Sequence, residues 1–371
     1  MSEPVPLGPY EPGPGPQQPV PSTAPGPLQP YSAGVPPVGP GPYPYAMSPT
    51  HAASPPVPAG PLPLEPREYH HMLRTPRARW WKGLLAIVSF LAAYLIVSLI
   101  LQLGAIGIDV ASGRTAAADL AAGKITVTPM VLLSVNLTNA ASIPIAMLLQ
   151  WGYFGQRPRW LHSVRGVFRW RLLARSCLIV LPLWIVYVVA ISLLSAPDAG
   201  AALTRESAAF LVIVVLTTPL QAAGEEYGAR GLLSRSAASW VADPRLALLI
   251  GTAVSAVIFT VSHGAGDPWL IAYYFVFGVG LSLIVWRTGG LEVAVLIHTV
   301  NNFLLFVITI LSGGDLSQSF DRSAGVGNAV MLVPMAMMAA TVTVIWWWAR
   351  RHGVPRVFEP PAVNDAAPGP A

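Results

Sequence analysis

Glu225 and Glu226 stand side by side after an apolar run, in TTPLQAAGEEYGARGLL, with Arg230 four residues beyond the second. A carboxylate at the edge of a hydrocarbon-spanning segment, or inside one, is costly and for that reason marks function. Two further ionisable groups lie in later apolar runs: His263 in SAVIFTVSH and His298 in VAVLIHTVNNFLLF, which also supplies Asn301 and Asn302. An aligned carboxylate and imidazole hold and deprotonate a water molecule, while a second imidazole and an amide donate to the oxyanion formed on an attacked carbonyl. The chemistry these residue types fit is hydrolysis inside a membrane bundle.

Helix geometry divides the roles further. Glu226 and Arg230, four apart at ~100° per residue, share a face with the acid on the N-terminal side, the better order for an ion pair. Glu225 lies roughly 140° around the helix from Arg230 and is less easily neutralised by it. The expectation is a structural Glu226–Arg230 pair and a reactive Glu225. Phe259 with His263, and His298 with Asn302, are likewise four apart, so each pair faces one neighbour. Taken singly, the charges also fit a solvated helix end and each histidine an interhelical hydrogen-bonding group. Together they favour the chemistry.

The elements that must position these residues are membrane helices. The chain is 53% hydrophobic and 11% charged, with mean hydropathy +0.55, against roughly 25% charge in a soluble domain. Runs approaching the ~20 residues a bilayer requires recur at about 80–103, 129–152, 177–195, 208–224 with a polar extension toward 239, 246–263, 269–286, 291–311 and 329–348. This predicts an all-α, polytopic bundle of about eight transmembrane helices. Residues 1–66 hold 23 of the 38 prolines and are expected to form a disordered cytoplasmic tail, a solvated tether or a strand for a proline-reading partner. Residues 67–204 and 306–350 then supply the flanking helices, 205–305 the catalytic core and 351–371 a second disordered tail. No cleaved signal peptide is expected at Met1.

Arginine bias orients the bundle. The connection carrying Arg157, Arg159, Arg165, Arg169, Arg171 and Arg175 without an acid reads as cytoplasmic, and the alternation puts both termini inside a cell membrane. The arginines fall between apolar runs, the pattern of membrane topology, so no nucleic-acid partner is expected. Trp80, Trp81, Trp151, Trp160, Trp170, Trp269 and Trp346–Trp348 read as interfacial anchors. Cys177 is the single cysteine, which leaves no disulfide or cysteine metal cage.

The three motifs, Glu225-Glu226-Tyr-Gly-Ala-Arg230, Phe259-Thr-Val-Ser-His263 and His298-Thr-Val-Asn-Asn302, together with the FGVGLSLIVWRTGGLEVAVLIH spacing before the last, resemble the CPBP family over about residues 205–305. That family comprises intramembrane proteases, including the type II CAAX prenyl endopeptidases, and bacteriocin self-immunity proteins. The resemblance implies peptide-bond hydrolysis of a membrane-embedded or membrane-associated substrate. It implies water activation by Glu225 and His263, oxyanion stabilisation by His298 and Asn302, and support from Glu226, Arg230 and Phe259. The family is labelled a metalloprotease family, and Glu225, His263 and His298 form a His₂Glu set able to hold zinc. The chain has no HExxH, however, and three separate helices would each give one ligand. A glutamate-activated water without obligatory zinc is the expectation. Nothing in the chain says that its substrate carries a lipid.

Straight helices would leave Glu225 near the cytoplasmic side and His263 some 25 Å from it, at ~1.5 Å per residue. Convergence therefore requires a continuous, tilted 208–239 helix and a backbone break at Gly264, Gly266 and Pro268. Two readings from other classes are a secondary transporter with an intramembrane Glu/His relay and a non-catalytic scaffold or immunity protein. The first predicts inverted repeats, which the sequence does not show; the second leaves the polar set unexplained.

Overall fold

The computed structural model describes residues 60–121, 126–194 and 203–360. The expectations for 1–59 and for 361–371 lie outside the described residues. Eight helices are long and apolar enough to cross a membrane: α1 Trp80–Ala111, α2 Pro129–Phe154, α3 Trp170–Leu194, α4 Arg205–Glu226 continued to Ala238, α5 Pro244–Ser262, α6 Pro268–Thr288, α7 Glu292–Leu311 and α8 Leu332–Arg351. Their exterior is apolar where that of a soluble domain is polar. Leu95, Leu99, Ile100, Leu178, Val186, Leu216 and Val261 are exposed, while Asn136, Asn139, Gln221, Glu226 and Arg230 are buried. An apolar exterior around polar side chains is the arrangement a bilayer solvent selects.

α1 packs on α2, α2 on α4 and α4 on α7, with α5, α6 and α8 closing the other side. Small residues permit the closest approach. A Cβ on Gly224 would overlap the backbone carbonyl of Asn139 on α2, and one on Gly228 would strike the Phe90 ring of α1. This is the small-xxx-small device by which membrane helices bring backbones together.

α4 is continuous, but Tyr227–Leu233 is a π segment, in which the Ser234 N–H reaches back to the Ala229 carbonyl as π turns require. Glu225 thus lies twenty residues after Arg205 and thirteen before Ala238, well inside the helix. The start of α7 is recessed too. Leu291 N–H donates to His162 O at 2.9 Å and Val164 N–H to Gly289 O at 2.9 Å, while Arg169 grips buried Glu292 through Nη2 at 2.7 Å and Nε at 2.8 Å. Gly264 (φ +62°) ends the α5 region. The glycine–proline break forms the turn between α5 and α6, and Glu225 and His263 line one cavity.

The placed chain runs past the boundaries that composition suggested. Pro61 O accepts from Gln156 Nε2 at 3.0 Å, and β1 (Arg67–Glu68) pairs antiparallel with β2 (Val357–Phe358). Phe358 is buried and meets Trp160 edge-on at 5.2 Å. Between the strands and α1, Tyr69, Met72 and Leu73 are fully buried. His70 Nε2 donates to Pro244 O and His71 Nε2 to Val241 O, each at 3.0 Å. Burial pushes the His70 imidazole down to about 4 and lowers His71 as well.

Candidate active site

α4 places two adjacent carboxylates in different surroundings. Glu226 has a fully buried side chain and its Oε1 accepts from Arg230 Nη1 at 2.9 Å and from His298 Nδ1 at 2.8 Å. Arg230 is held further by Gly278 O at 3.0 Å and lies 4.5 Å from the centre of the Phe259 ring. Glu225 keeps 16% of its side chain exposed and lines a cavity of about 330 Å³. The sequence reading separated these two residues in this way, on helix geometry alone.

His263, the residue capping α5, lines the same cavity. Its Nδ1 lies 2.7 Å from Phe259 O. A carbonyl only accepts, so Nδ1 carries the proton and a neutral ring keeps a lone pair on Nε2. Tyr274 of α6 stacks on the ring at 4.0 Å. Phe259 is the hub of the cluster, its ring touching His263 at 4.5 Å and His298 at 5.9 Å as well as Arg230.

Asn302 lines the cavity from α7, whereas His298 does not. His298 lies behind Glu225, with Nδ1 on Glu226 and Nε2 3.5 Å from Glu225 Oε2, longer than a direct hydrogen bond. Glu225 is fixed by a chain of amides, of which Asn301 and Asn302 were legible in the sequence and Gln221 was missed. Tyr273 Oη donates to Asn301 Oδ1 at 3.4 Å, Asn301 Nδ2 to Asn302 Oδ1 at 2.9 Å, Asn302 Nδ2 to Gln221 Oε1 at 3.1 Å, and Gln221 Nε2 to Glu225 Oε1. Gln221 stands four residues before Glu225, and that spacing was its available signal. Tyr94, Asn136 and Asn139, also on the wall, come from α1 and α2, beyond the segment that carries the motifs.

Among the described residues no three His, Cys, Asp or Glu side chains are grouped as a metal site. His298 already presents both nitrogens to carboxylates. Glu225, His263 and His298 are not grouped as a ligand set among the described residues.

Residues 206–304 match the family model described as type II CAAX prenyl endopeptidase Rce1-like. Over these residues the chain is similar to an Rce1-like domain. The match spans α4 through most of α7 and holds every motif residue from Glu225 to Asn302. It is a protease family, which makes hydrolysis the chemistry at family level, and with its eight apolar helices the chain is an integral membrane protein. No curated protein and no solved structure matches it.

Proposed function

We propose that the chain is an intramembrane endopeptidase that hydrolyses a peptide bond in a membrane-embedded or membrane-associated protein or peptide, with Glu225 as general base. The observation that carries this reading is the presence, on the wall of one cavity, of a partly exposed carboxylate and an imidazole whose Nδ1 is committed to a carbonyl. A water between them donates one hydrogen to Glu225 and the other to His263 Nε2, leaving an oxygen lone pair for the carbonyl carbon. As the C–O bond forms, Glu225 takes the proton. The oxyanion accepts from the Nδ2–H of Asn302 that Gln221 does not use. Glu225 then returns the proton to the leaving nitrogen and the C–N bond breaks. His298, hydrogen-bonded to Glu226, backs Glu225 from the side of the Glu226–Arg230 pair. The arginine bias supports a cell membrane location with both termini cytoplasmic.

The test is cleavage of a library of quenched fluorescent peptides by the purified full chain in detergent. Glu225→Gln and His263→Ala should each lose about 10²–10⁴-fold while keeping the parent's melting behaviour; parent-like rates in both overturn the assignment. The same assay after exhaustive chelation, with metal content measured, should retain activity. Activity that leaves with a metal and returns with zinc overturns the metal-free route.

A further inference from the structure

The α7–α8 loop brings a cation to the cavity that the chemistry above does not use. Arg322 is half-buried and lines the cavity wall with Ser319 and Phe320. The loop is fastened to the turn that follows His263: Gly266 N–H donates to Arg322 O at 2.8 Å, and Gly325 N–H to Asp267 Oδ2 at 3.0 Å. A guanidinium has five N–H donors. Nη1 of Arg322 donates to the carbonyls of Ser319 at 2.7 Å and Asp321 at 3.1 Å. Among the described residues no acceptor meets Nε or Nη2 and no carboxylate pairs with the side chain; the neighbouring Asp321 carboxylate accepts instead from Ser323 N–H at 2.9 Å. The guanidinium carbon stands 5.5 Å from the centre of the Tyr274 ring, the ring that stacks on His263. One edge of the fork is thus unspent, on a side chain held by backbone and aromatic surface. That edge fits the two oxygens of a carboxylate.

We infer that Arg322 is a specificity-determining residue that takes a carboxylate of the substrate, laying the peptide along Tyr274 and His263 toward Glu225. The inference rests on the proteolytic reading for the peptide nature of the ligand, but its test does not. Two sources share the chemistry: a free C-terminal carboxylate and an acidic side chain.

Three probes separate them: acetyl-Ala-Leu-Leu-Ala with a free carboxylate, the same peptide as its C-terminal amide, and the amide of acetyl-Ala-Glu-Leu-Ala. Binding is followed by tryptophan fluorescence of the purified full chain carrying Glu225→Gln, so that nothing is cut and a failure of proteolysis leaves the result untouched. At least one acidic probe should bind on the order of 10- to 100-fold more tightly than the neutral amide. That gap should close in Arg322→Gln and reopen in part in Arg322→Lys. A gain confined to the free acid assigns the C-terminus, and one confined to the glutamate peptide assigns a side chain. Equal binding of all three probes, or a gap that survives Arg322→Gln, overturns the inference. If the Gln variant fails to fold, the parent's discrimination and the Lys variant decide.

Discussion

Glu226 and His298, 72 residues apart in the chain, are joined by a buried 2.8 Å hydrogen bond from the imidazole Nδ1. The second motif glutamate thereby holds the histidine that faces the first. His298→Ala should lower the melting temperature as well as activity, because Glu226 Oε1 loses a buried donor at a cost of about 1–3 kcal/mol. Asn302→Ala, at the cavity wall, should lower activity with little change in melting. Thermal unfolding in detergent beside the peptide assay checks both; two equally stable, equally inactive variants would return His298 to an oxyanion role.

Glu226→Gln and Arg230→Ala should each destabilise the bundle by about 3–5 kcal/mol, since either strands a buried charge. The double variant should cost less than the sum of the two, as partners of one pair do. Additive losses, measured by chemical unfolding, would mean that the pair is not coupled.

Gln221→Leu should cut the rate about 10- to 100-fold while the protein remains folded. It removes the amide linking Asn302 to Glu225, and small misplacements of reacting groups are costly. An unchanged rate would mean that the amide chain does not aim the carboxylate.

Gly224→Ala should destabilise by about 1–3 kcal/mol, because the new methyl overlaps the Asn139 backbone across the α2–α4 contact. Gly107→Ala on α1, where nothing lies within 4 Å, should be neutral or raise the melting temperature. Melting of the two variants side by side is the measurement.

Acid should loosen the face built on His70. Its imidazole titrates near 4 in the folded chain because it is buried, and near 6.5 when unfolded. The unfolded state then binds more protons between those values, so stability present above about 6.5 is lost as pH falls toward 4, by up to about 3 kcal/mol. His70→Gln, which keeps an N–H donor for Pro244 O, should flatten the pH dependence of melting between pH 7 and 5. A parallel curve would place the titration elsewhere.

The sequence made the ionisable part of the site legible. Carboxylates and imidazoles in apolar runs are expensive enough to stand out, and four-residue spacing assigned Glu226 to Arg230 before any coordinates. Asn301 and Asn302 were legible beside His298, but the other amides and phenols of the wall did not stand out, because Asn139, Gln221 and Tyr94 cost a membrane helix far less than a charge does and come from three different helices. The eight spans followed from hydropathy. The clasp of β1 and β2 did not, since two-residue strands carry no readable period. The recess of α7 depends on Arg169 reaching Glu292 across 123 residues, and composition had counted that arginine only as a topology marker.

The π segment in α4 sets a direction as well as a width. A π turn carries an extra residue compared with the α-helix on either side. Losing one residue between Tyr227 and Leu233 would screw the far end of the helix round by about 100°. Arg235 would then leave Gln150 and Gln156, its partners at 2.5 Å and 3.2 Å, while Gln221 and Glu225 upstream kept their aim. The cavity-lining half and the anchoring half of this one helix are indexed separately, and the seven residues between them are where an in-frame deletion would act as a wrench.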